Sequence, residues 1–157
     1  MDRVSQETDI LMRELSGSAE ETRRIAADFA ADLERGSVLA LHGDLGSGKT
    51  CFVQGIALGL GVEEVVNSPT YLILHEYRGR IDLNHMDLYR MRDLSEVLAF
   101  GFEEYLEAEA VLAIEWPELA LELLPAQTFH IHLDCGEREN ERSIVVRRGL
   151  KYADAGH

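Results

Sequence analysis

Gly43-Asp44-Leu45-Gly46-Ser47-Gly48-Lys49-Thr50 is a complete G-x-x-x-x-G-K-[ST] phosphate-binding loop. It constrains the fold because such a loop works only between a buried strand and the start of a helix. Both neighbours are present. Val38-Leu39-Ala40-Leu41 reads as a short buried strand, while Phe52, Val53, Ile56, Ala57 and Leu60 fall on one helical face, with Gly59 and Gly61 as stop signals. The glycines let the backbone turn tightly and aim N–H groups inward, and the helix N-terminus adds its positive dipole to the same cavity. A nucleotide triphosphate fits that field. Gly43 to Cys51 is the predicted nucleotide-binding segment, with Lys49 reaching the β/γ oxygens as a point charge and the Thr50 hydroxyl offered to a bridging Mg2+. Asp44 is out of keeping, since an acid inside an anion cradle repels phosphate unless it faces outward or helps to position water and metal.

Hydrolysis needs, besides the loop, carboxylates that hold magnesium and order the attacking water. Asp87 ends one predicted strand in His85-Met86-Asp87-Leu88-Tyr89-Arg90, and Glu115 closes another, Val111-Leu112-Ala113-Ile114-Glu115. A carboxylate at the C-terminal end of a strand points toward the crevice where α/β folds hold ligands. His85 reads as a satisfied polar residue on an acid-rich strand, and His42 has a weaker functional case still. Thr70, in Ser68-Pro69-Thr70, has two readings: a hydroxyl that senses the γ-phosphate, or a residue at a strand start set by Pro69. Trp116, followed at once by Pro117, is placed at the rim of the site.

A chain of 157 residues with 46% hydrophobic content suits a single domain over 1–157, its ends frayed at about 1–9 and 151–157. Ser18 with Glu21 forms a capping box that opens a helix ending near Gly36. Tyr71 to Tyr77 and Ile81 to Leu88 read as a hairpin, Leu94 to Ala108 as a helix, and Pro117 to Leu123 as a short helix. Phe129 to Leu133 and Ile144 to Arg147 make a terminal antiparallel pair. The expected class is α/β: a P-loop NTPase-like three-layer sandwich on a mixed, mainly parallel sheet with antiparallel additions. The net charge of −14 argues against a broad basic surface that grips nucleic acid. Two cysteines, Cys51 and Cys135, make neither a metal pattern nor a disulfide framework, and no signal sequence or membrane span is evident. A cytoplasmic protein without membrane contact is expected.

The ordered set formed by the loop, Ser68-Pro69-Thr70-Tyr71, His85-Met86-Asp87-Leu88-Tyr89-Arg90 and Ile114-Glu115-Trp116-Pro117 resembles the bacterial TsaE (YjeE) ATPases. The resemblance implies a small ATPase needed for threonylcarbamoyladenosine at position 37 of tRNA. It would act with TsaD and TsaB and meet tRNA only through that complex. It further implies ATP and Mg2+ as ligands, with Thr50 and Glu115 on the metal and Lys49 on the phosphates. Asp87 would serve the magnesium–water network, and Ser18 to Thr22 would lie near the nucleoside. Cys51 stands where many relatives have a second threonine, so its backbone N–H is left to contact phosphate. No arginine finger is carried onto the Arg142 to Arg147 region. The rival enzyme class is a small-molecule or nucleoside kinase, but no arginine-rich lid emerges. A GTPase lacks its guanine-reading N-K-x-D, and a non-catalytic nucleotide-binding scaffold would bind ATP without releasing phosphate.

Overall fold

The computed structural model describes residues 9–67 and 73–149. Its frame is one seven-stranded sheet in the order β1-β7-β6-β2-β5-β4-β3. The strands are β1 (Asp9–Ser16), β2 (Val38–His42), β3 (Leu74–Tyr77), β4 (Leu83–Asp87), β5 (Val111–Glu115), β6 (Phe129–Cys135) and β7 (Arg142–Arg148). Four central strands, β6-β2-β5-β4, run parallel, and antiparallel ladders close both sides through β3 and through β7 and β1. This is the expected mixed α/β sandwich.

Strand alternation divides the core into two layers. Leu39 and Leu41 of β2 face the layer of α1 (Ala19–Ala30) and α2 (Lys49–Gly59). Val38 and Ala40 face the layer of α3 (Leu94–Phe100), α4 (Phe102–Leu106) and the 3-10 helix Pro117–Leu123. β2 and β5 are buried along almost their whole lengths, as central parallel strands covered on both faces must be.

Several boundaries differ from the sequence reading for local reasons. Ser18 caps α1 by accepting from Glu21 N at 3.0 Å, and the Glu21 carboxylate reaches back to Gly17 N at 2.8 Å. The helix stops at Ala30 rather than near Gly36. The chain then leaves through turns in which Leu33 N bonds Ala30 O and Gly36 N bonds Glu109 O, and Leu33 still reaches the core. The expected helix Leu94 to Ala108 is two helices, because Gly101 takes φ 96° and closes α3 with a left-handed residue. β1 was not anticipated as a strand. Thr70, Tyr71 and Leu72 fall outside the described residues, so the first hairpin strand is seen only from Leu74.

Candidate functional site

The strand β2 ends at His42 and delivers the chain into the loop, and α2 begins at Lys49. Gly43 is forced by close approach: a Cβ there would lie 2.5 Å from Leu133 O of β6. Asp44 is exposed, and its carbonyl closes the turn by accepting from Ser47 N at 3.1 Å. Leu45 is exposed, whereas Ser47 is buried with its Oγ lacking a partner among the described residues. That hydroxyl is an orphaned buried donor within the loop.

Lys49 is buried at 6% exposure, and its ammonium donates to the carbonyls of Gly43 and Asp44. It also sits 3.5 Å from the centroid of the Trp116 ring, a cation–π contact that holds the charge over the loop. Burial lowers the Lys49 pKa, against the pull of Glu115, Glu118, Asp87 and Asp44. Trp116 is half-buried, lies against the exposed Tyr89 with ring centroids 4.9 Å apart, and adopts φ 56°. Its ring therefore forms one wall of the loop's mouth.

Parallel register sets Asp87 of β4 beside Glu115 of β5, and Glu115 beside Leu41 of β2. Alternation puts His85, Asp87 and Glu115 on the face covered by α2. There Thr50 donates to Glu115 Oε2 at 3.1 Å, and His85 Nε2 bonds the same oxygen at 2.6 Å in a buried pair. Asp87 accepts from Tyr89 N at 2.8 Å, and burial raises its pKa. The cluster Thr50, Asp87 and Glu115 offers only oxygen donors, the chemistry magnesium prefers. Among the described residues no three His, Cys, Asp or Glu side chains form a metal cage. A cation carried in with phosphates needs only one or two carboxylates and a hydroxyl, so the residues fit it.

Two contributors were not singled out by sequence. His85, read as a merely satisfied polar residue, is satisfied by Glu115 itself. The alternation of His85-Met86-Asp87 was the available signal, since it puts both polar side chains on one face. Arg142, at the start of β7, donates to Gly46 O at 3.1 Å and to the carbonyls of Glu139 and Glu141. Its distance along the chain from the loop left no local signal. Cys51 ties α2 to α1, donating to Ala19 O at 3.2 Å and accepting from Arg23 at 3.6 Å. That contact sets Ser18 to Thr22 beside the loop helix. Thr70 lies outside the described residues.

Comparison with known proteins gives this arrangement its relatives. A family model described as threonylcarbamoyl adenosine biosynthesis protein TsaE matches residues 16–144. The tRNA threonylcarbamoyladenosine biosynthesis protein TsaE of Bacillus subtilis is 47% identical over 129 residues, covering 81% of this chain and 80% of its own. The protein of the same name from Treponema pallidum is 44% identical over 122 residues, covering 78% and 90%. The crystal structure of YdiB from Bacillus subtilis superposes with a TM-score of 0.77 at 35% identity, covering 91% of this chain and 88% of that one. With the loop, the strand-end carboxylates and the P-loop NTPase-like sheet in one frame, the chain belongs to the TsaE family of tRNA threonylcarbamoyladenosine biosynthesis proteins.

Proposed function

We propose that this protein binds and hydrolyses ATP with Mg2+, and that its cycle serves formation of threonylcarbamoyladenosine at position 37 of tRNA together with TsaD and TsaB. The observation that supports the reading best is the convergence of Lys49, Thr50 and Glu115 at the C-terminal ends of the parallel strands, with Asp87 in register beside them. Loop N–H groups, the α2 dipole and Lys49 attract the triphosphate. A magnesium ion held there would supply charge neutralisation for the phosphates. Thr50 and Glu115 would hold the cation, and His85 fixes the carboxylate of Glu115 by bonding the oxygen that Thr50 also uses. Asp87, made more basic by burial, orients the attacking water and takes up its proton. Trp116 and Tyr89 narrow the mouth and keep Lys49 over the loop.

The same reading makes the partner complex part of the machine. A chain of net charge −14 is poorly suited to hold tRNA itself, so tRNA is met through TsaD and TsaB, in the cytoplasm. No helix among the described residues is long and apolar enough to cross a membrane. Docking at the Trp116 rim gates the site, so that nucleotide state is passed to the partners, with Thr70, outside the described residues, as the proposed switch hydroxyl. Phosphate release, measured with and without purified TsaD–TsaB and tRNA, tests the proposal. Slow release alone and faster release with the complex is the expected result. Rapid phosphorylation of a small molecule or nucleoside, with repeated tRNA threonylcarbamoylation indifferent to this chain, would establish the kinase alternative instead.

A further inference from the structure

A second cavity, of about 530 Å3, opens between β3, β4 and α4, on the sheet face opposite α2 and toward the strand ends remote from the phosphate loop. Its size falls within the range of small-ligand sites. Register makes Glu76 of β3 the direct cross-strand neighbour of Asn84 of β4, so both side chains project from this face. Glu104 and Glu109 line the cavity from the helical side, and Asp82 and Arg78 line it from the hairpin turn. Four carboxylates against one guanidinium give a strongly negative field.

Asn84 adds an observation of another kind. It is 8% exposed, yet among the described residues its carboxamide makes no side-chain hydrogen bond. Its amide therefore keeps donors and an acceptor open to a ligand in the cavity. The small area it keeps opens into the acidic cavity, where a ligand reaches it. The carboxylates do not gather as a metal site, since no group of three or more such side chains among the described residues is placed to hold an ion. Spread acceptors around an amide floor suit a larger, planar cation with several N–H donors.

We propose that this cavity binds a guanidinium-bearing ligand of about the size of an arginine residue, with Asn84 accepting at its floor and Glu76, Glu104 and Glu109 pairing with it from the walls. The site is separate from the phosphate loop. The test is titration of the full chain, isotope-labelled for NMR, with L-argininamide and with a short neutral-flanked peptide containing one arginine; norleucinamide is the control. Saturable shifts confined to β3, β4 and α4 are expected. The dissociation constant should rise at least tenfold in the exposed double variant Glu76→Gln, Glu109→Gln, and likewise in Asn84→Ala. Because Asn84 is buried, the first variant carries the test if the second loses its fold. Saturation by argininamide identifies a free small molecule as sufficient, and saturation by the peptide alone assigns the guanidinium to a partner protein's side chain; either supports the site. Shifts no greater than with norleucinamide, or equal affinity in the wild type and the double variant, would overturn it.

Discussion

Trp116 carries an aromatic side chain on a backbone at φ 56° and ψ 61°, the one non-glycine residue with positive φ among those described. That conformation costs an L-residue about 1–2 kcal/mol. Pro117 follows directly and starts the 3-10 helix, which fixes the turn, and the result is a ring placed 3.5 Å from the Lys49 ammonium. Trp116→Gly and Trp116→Ala both delete the ring, but only glycine relaxes the backbone. The glycine variant should therefore unfold in urea with a free energy about 1 kcal/mol above the alanine variant; the reverse order would show that the left-handed turn carries no strain. At the carboxylates, Asp87→Asn and Glu115→Gln keep shape and hydrogen-bonding capacity while removing charge. Each should leave thermal unfolding intact and lower kcat/KM for ATP hydrolysis by roughly 2–4 kcal/mol of transition-state stabilisation. Normal turnover in both would remove them from the chemistry. Lys49→Ala should abolish measurable Mg-ATP affinity by calorimetry, since it deletes the charge at the centre of the loop.

At the scale of elements, α1 and α2 are held together by an absence of side chains. A Cβ on Gly55 would sit 2.6 Å from the Ala26 Cβ, and one on Gly59 would sit 2.6 Å from the Ala30 Cβ. The helices thus meet through two glycines on α2 and two alanines on α1, and Phe52, Val53 and Ile56 fill the layer beside the contact. Gly55→Ala should force the helices apart and cost about 1–3 kcal/mol in urea unfolding, as overpacking of a tight core does. Sequence patterning exposed α2 and its apolar face but presented Gly59 only as a stop signal, because spacing reports which face is buried and not how closely the neighbour comes. The same limit hid β1. Its Ile10, Leu11 and Leu15 are exposed, so this edge strand lacks the clean alternation of a half-buried one, and only its ladder to β7 defines it. Asp87 and Glu115 were legible because a strand end followed by a turn is a local signal. Arg142 was not, since only the β6–β7 hairpin and sheet order bring it to Gly46.

At the scale of the molecule, the loop rests on strand ends built partly from histidine. Parallel register sets His132 of β6 beside His42 of β2, with the rings stacked 4.6 Å apart, and His42 Nε2 bonds His130 Nδ1 at 3.0 Å. Burial, then His132, His130 and Lys49, lowers the His42 pKa to about 3. Burial and His132 lower that of His130 to about 4, while burial and Arg147, opposed by Asp134, lower that of His132. These groups take up protons in the unfolded chain near the ordinary value of 6.5 but resist them when folded. Their contribution to stability is therefore complete above that pH, and it is lost as pH falls from there toward the folded values. Between pH 6.5 and 5 the loss through His42 alone should be on the order of 2 kcal/mol, felt where β2 passes into Gly43. Urea unfolding between pH 5 and 8 should show that slope in the wild type and a flatter one in His42→Gln, with Mg-ATP affinity falling in parallel with stability in the wild type. An identical slope in both proteins would mean that the histidines titrate freely in the folded state and that the loop's footing does not depend on keeping them neutral.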